Sequence, residues 1–170
     1  MASNGMSSEI VVVREVGVGE TVQAGSLAGV IGGLLLAVWA MGAAVVNGMD
    51  LIAPVRMIGA TFLGASAMDG GAPIVLYGLM VHLVTAMAAG VLFAAILPRD
   101  ATTRAALVSG LIYGLLVMLV MLYLVMPIVN PVMREGVEPM MTSFTIEHLL
   151  YGASLALVPT LRRRFATHHL

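Results

Sequence analysis

Two histidines lie in apolar runs, His82 in "GLMVHLVTAMAAG" and His148 in "TIEHLLYGASLAL". An imidazole in such surroundings can bond across helices, ligate a metal or haem iron, or meet the headgroup of a quinone or pigment. Their neighbours correspond: Ala86 and Gly90 follow His82 at four and eight positions, and Gly152 and Ala156 follow His148. On a helix these positions share one face, so each histidine sits on a stripe of small residues that should meet another helix. His82 is 16 residues from Pro98 and His148 is 14 from Arg162. At the helical rise both imidazoles therefore lie roughly 21–24 Å from the same membrane face, on parallel helices. The first expectation is structural: each ring bonds to Thr85, Tyr113, Tyr151 or a backbone carbonyl of a neighbouring helix. The alternative is cofactor binding, with His82 and His148 as axial ligands of a b-type haem or as contacts of a quinone or pigment.

Other chemistry is thin. Glu147 precedes His148 but points about 100° away from it on a helix, and its carboxylate is expected to reach water near the interface. Met118, Met121, Met126, Met133, Met140 and Met141 cluster in sequence. Thioethers can hold Cu(I), but methionine more often fills space, and no metal is expected. The sequence contains no Walker A, GxSxG or HExxH pattern, so no enzymatic role is expected. The absence of cysteine excludes disulfides, thiolate metal sites and covalent c-type haem attachment.

The elements that carry these residues are membrane spans. The chain of 170 residues is 60% hydrophobic and 10% charged, against about 25% charged in soluble domains, and its mean hydropathy is +1.03. Four stretches, near 25–47, 73–97, 105–127 and 143–161, approach the roughly 20 residues that span hydrocarbon. The expected fold is all-α, an integral-membrane four-helix bundle. Residues 53–66 contain Pro54 and Arg56 and read as an interfacial or re-entrant helix, a fifth span being the lesser alternative. Residues 1–24 form a polar arm without a secretory signal pattern, and "EIVVVREV" within it could pair with a partner. Six of the eight arginines lie on the side of the termini, which places both termini in the cytoplasm. Arg162, Arg163 and Arg164, in the basic tail 162–170, read as a topology anchor and a contact for lipid headgroups.

The packing surfaces repeat. Gly25, Gly29 and Gly33 recur at four-residue spacing, as do Gly110 and Gly114, and Gly152 lies on the stripe of His148. Such stripes let helix backbones approach in lipid. "GVIGGLL" from Gly29 matches "GLIYGLL" from Gly110, "APVRM" echoes "NPVMR", and "HL" recurs at His82 and His148. These matches suggest two helix-pair repeats related by an axis along the membrane normal.

The segments "APVRMIGATFLG", "GLMVHL", "MPIVNPVM" and "EHLLYGASLAL" together resemble a group of uncharacterised bacterial four-helix membrane proteins. The resemblance covers most of residues 25–161 and implies a fold and a bacterial inner-membrane location, but no activity. The expected function is that of a non-catalytic accessory or scaffolding subunit of a larger membrane complex, such as a respiratory one. Its expected partners are other membrane subunits and lipids, and the near-neutral charge argues against nucleic acid. The alternatives are an electron-transfer anchor with haem b between His82 and His148, and a small transporter or channel.

Overall fold

The computed structural model describes residues 16–167, all-α among those residues. Four helices are long and apolar enough to cross a membrane: α1, Val18–Val46; α3, Ala72–Ile96; α4, Thr103–Val129; and α5, Pro131–Thr167. Between the first two lies a short helix, α2, Ala53–Leu63, followed by a 3-10 turn, Ala65–Asp69. The protein is a membrane protein built as a helical bundle.

Local chemistry explains the boundaries. Proline occupies the first turn of α2, α3 and α5, where its missing N–H costs nothing. Thr102 caps α4 by accepting from the Ala105 N–H at 3.2 Å. Gly64 ends α2 with φ of +69°, a left-handed conformation that favours glycine. Arg56 stabilises that corner, donating from Nε to Gly70 O at 2.9 Å and pairing with Asp50 at 3.0 Å. Within α4, residues Met121–Val125 widen into a π-helical turn. Pro127 lies just beyond it, and its ring and missing N–H disturb the preceding turn in this way.

Several boundaries differ from those read in the sequence. Helix α1 begins at Val18 rather than near residue 25, so the end of the supposed arm belongs to the span. The fourth span, expected to be the shortest, is the longest helical run, 37 residues from Pro131 to Thr167. Most of the expected loop before it is helical, because Asn130 and Pro131 make a helix start instead of a break. The Asn130 side chain accepts from Met133 N at 3.0 Å, the ordinary N-cap bond. The β-branched segment near residues 9–16 and the His168–His169 pair lie largely or wholly outside the described residues.

Glycine decides the helix pairing. A Cβ on Gly25 would come within 2.7 Å of Gly90 O, and one on Gly29 within 2.5 Å of Ala86 O. Gly110 and Gly114 likewise meet Gly152 O and His148 O. Thus α1 packs on α3 and α4 packs on α5 in the same register, antiparallel in each pair. Gly29 stands against Ala86 as Gly110 stands against Gly152, which matches the repeat in the sequence. A different edge of α1, at Gly32, abuts Tyr151 and Ser154 of α5.

The half of the bundle next to the chain ends is solid, filled by Ala24, Ala28, Phe93, Tyr113, Leu155 and Val158. Across the bundle a second cluster joins α4 to α5 through Met118, Leu122, Met126, Val137 and Phe144. The methionines here fill space around Phe144. Large apolar side chains such as Val38, Leu76, Leu92 and Ile112 face outward, as hydrocarbon requires.

Close approach at Gly29 predicts that Gly29→Val overpacks the α1–α3 crossing and destabilises the bundle by about 1–3 kcal/mol. Gly42 has open space around its Cα, so Gly42→Ala should be neutral or slightly stabilising. Unfolding of both variants in mild detergent compares them directly, and equal losses would contradict the packing described.

Candidate functional site

The half of the bundle away from the chain ends is hollow. A cavity of about 400 Å³ lies among α1, α2, α3, α4 and α5, walled by groups such as Leu36, Val55, Ile58, Val117 and Val125. Pockets for small molecules run from about 300 to 1,000 Å³ and are mostly apolar with a few placed polar groups. The placed groups here include His82, Glu147, His148, Tyr151 and Asn130.

The structure brings His82 and His148 to the same cavity. Tyr151 Oη donates to Ala86 O at 2.8 Å, which holds α3 and α5 in a register that keeps the two histidines level. His82 Nε2 lies 2.8 Å from Gly33 O. Because a carbonyl only accepts, Nε2 must carry the proton and donate. The expectation of a backbone-carbonyl partner across helices therefore holds for His82. His148 behaves differently: its Nδ1 donates to Phe144 O, one turn earlier in its own helix, at 2.8 Å. Its ring also packs against Phe144, with centroids 4.3 Å apart. Thr85 instead bonds to Val81 O, and Tyr113 Oη donates to Ala89 O.

This accounting leaves His82 with Nδ1 and His148 with Nε2 as lone-pair acceptors. A haem held by Nε2 from both sides would require His82 to release Gly33 O. Among the described residues no group of three His, Asp, Glu or Cys side chains is placed to hold a metal ion.

Asn130 closes the far end of the cavity. Its amide donates to Met57 O at 2.8 Å and to Thr61 Oγ1 at 2.7 Å, tying the α4–α5 junction to α2. At the other end Ser154 Oγ donates to Tyr151 O of its own helix at 2.6 Å and also lies 3.3 Å from Ala28 O. Trp39 Nε1 donates to Ser143 Oγ at 2.8 Å and closes the seam between α1 and α5.

Glu147 departs from its expected place. It is 6% exposed and lines the cavity, so it does not reach water at the interface. A cavity on this side of α5 is wide enough to meet both Glu147 and its neighbour His148. No described residue donates a hydrogen bond to its carboxyl group. Burial of such a group without a protein partner is costly.

The glycines Gly25, Gly29, Gly33, Gly110, Gly114 and Gly152 do form the helix crossings. The three arginines part company. Arg163 and Arg164 are exposed, whereas Arg162 is 2% exposed. Its guanidinium donates to Ala94 O, and to Leu97 O and Pro98 O at 3.2 and 3.1 Å. Ala94 O and Leu97 O are carbonyls left open at the end of α3, so Arg162 binds protein where a lipid headgroup was expected.

Asn130 is the functional candidate that sequence reasoning passed over, and Glu147 is one that it placed in water. The Asn-Pro pair was a readable helix start, but nothing local shows that its amide would reach α2. Searches against protein-family models, curated proteins and solved structures find no match, so family membership adds nothing to the geometry.

Removing the hydroxyl in Tyr151→Phe should cost about 0.6–2 kcal/mol, the range for bonds between membrane helices. Arg162→Met should cost about 1.5–3 kcal/mol for its charged bonds to carbonyls. Arg163→Met and Arg164→Met should stay within about 0.5 kcal/mol of the parent. Unfolding measurements on the four variants check the order; equal effects for all three arginines would reject the capping role of Arg162.

Proposed function

We propose that the protein holds a lipophilic small molecule within the membrane, in a non-catalytic role. The observation that carries this reading is Glu147, buried on the wall of an apolar cavity with no donor from the described residues. A polar group in that position is satisfied by something that occupies the cavity. The surrounding groups have the composition of a ligand site, with aliphatic walls and a few oriented polar atoms.

An accessory subunit of a membrane assembly would have use for such a site, and this role belongs to the same proposal. The glycine stripes, however, are consumed within the bundle and give no separate argument for outside partners. The support therefore comes from the cavity alone.

The first test is binding of radiolabelled 1-dodecanol to the protein in phosphatidylcholine nanodiscs, with empty nanodiscs subtracted. Saturable binding near one molecule per chain is expected. Ala40 lines the cavity, so Ala40→Trp should fill it and abolish the binding. Non-saturable uptake, or uptake unchanged in the filled variant, would remove the ligand reading. A b-type absorbance lost in His148→Ala would replace it with the haem anchor.

A further inference from the structure

Resting on the cavity as a ligand site, we infer that its ligand is a lipophilic amine in protonated form, which enters sideways from the bilayer between α3 and α4 and pairs with Glu147.

The direction of the hydrogen bonds selects the ligand. His82 Nε2, His148 Nδ1 and Tyr151 Oη all donate to backbone carbonyls. The amide of Asn130 donates to Met57 O and Thr61. What remains toward the cavity is acceptor-rich: the Glu147 carboxyl, Nδ1 of His82 and Nε2 of His148. The donors left among the described residues are hydroxyl hydrogens, such as those of Thr61 and Ser143, and the Glu147 carboxyl while it is neutral. A quinone offers only acceptors and finds few partners here. An anion would meet a carboxylate. An ammonium group offers both N–H donors and the opposite charge, which a buried carboxylate needs.

No described arginine lines the cavity and the chain has no lysine, so the described residues bring no permanent cation to Glu147. Phe144 and Tyr151 lie on the same helix and line the same space. Aromatic faces beside a carboxylate suit a desolvated cation, and the aliphatic walls suit a hydrocarbon tail.

The rim shows the way in. Of the lining groups, Phe62, Thr85 and Val129 are exposed on the outer surface of the bundle. They belong to α2, α3 and α4, and thus frame the seam between α3 and α4. That seam is bridged nearer the chain ends, where Tyr113 bonds to Ala89 O and its ring packs on Phe93 at 5.3 Å. The opposite seam is closed by Trp39 and Ser143. Helix α2 and Asn130 cover the end that would face water, so a ligand dissolved in the membrane has the open route.

The test compares radiolabelled dodecylamine with 1-dodecanol, both in zwitterionic nanodiscs, on the parent chain and on Glu147→Gln. Dodecylamine should bind the parent at least tenfold tighter than it binds Glu147→Gln, whereas dodecanol, whose hydroxyl a glutamine oxygen can also accept, should weaken far less. Retained dodecanol binding shows that the variant is folded. Equal binding of amine and alcohol, unmoved by Glu147→Gln, would overturn the amine and leave the cavity reading standing. Saturable binding of neither would overturn both. For the route, Thr85→Trp should slow amine uptake about tenfold, and Gly42→Trp, on the outer side of α1, should not. Equal rates in the two would overturn lateral access.

Discussion

In hydrocarbon there is no water to satisfy a polar atom, so each donor must find an acceptor within the protein. This bundle answers with backbone carbonyls. Where α1 crosses α3 and α4 crosses α5, glycine and alanine remove the side chains that would cover the peptide groups. The carbonyls of Ala28, Gly33, Ala86 and Ala89 are then within reach of side chains from other helices. Close approach and hydrogen bonding are thus one event. The glycines set the distance, and the donors fix the register.

The cavity follows from the same constraint. Small residues bring the helices together near the chain ends, and there the interior is solid. Further along α4 the π-helical turn before Pro127 widens the helix, and α2 enters as a wedge between α3 and the α4–α5 junction. Donors that could have filled the resulting space are already engaged with carbonyls. The space is left apolar, and the polar atoms within it are mostly acceptors.

Much of the architecture was legible because it depends on local pattern. The four spans follow from hydropathy, and the crossings at Gly25, Gly29, Gly33, Gly110 and Gly114 follow from four-residue spacing. The shared depth of His82 and His148 follows from counting residues at the helical rise. What was not legible depends on which neighbour a helix face meets. Arg162 read as a lipid contact because a triplet of arginines after a span usually is one; only the position of the end of α3 turns its first member inward. Glu147 reads as solvated in the sequence because the fourth apolar stretch begins only near residue 143. In fact the helical run starts at Pro131, which places more protein above Glu147 and removes it from water. Asn130 joins elements 69 and 73 residues apart in the chain, and no local pattern encodes that contact.

Between the two pairs, the bonds accepted by backbone carbonyls also have a direction along the chain, while Trp39 of the first pair donates to a side chain, Ser143, of the second. Tyr113, Tyr151, Ser154, Asn130 and Arg162 donate, and all belong to the second helix pair. Their acceptors, Ala89, Ala86, Ala28, Met57 and Leu97, all belong to the first. His82, with Gly33, is internal to that first pair. The two pairs share a crossing geometry but have divided the chemistry: Val81 stands in the first where Glu147 stands in the second, one place before the histidine in each. Two copies of either pair could not reproduce these carbonyl bonds, since each of them takes its donor from the second pair and its acceptor from the first. The fold is a mismatched couple made from matching parts, and its polarity holds the halves to each other rather than to their own kind.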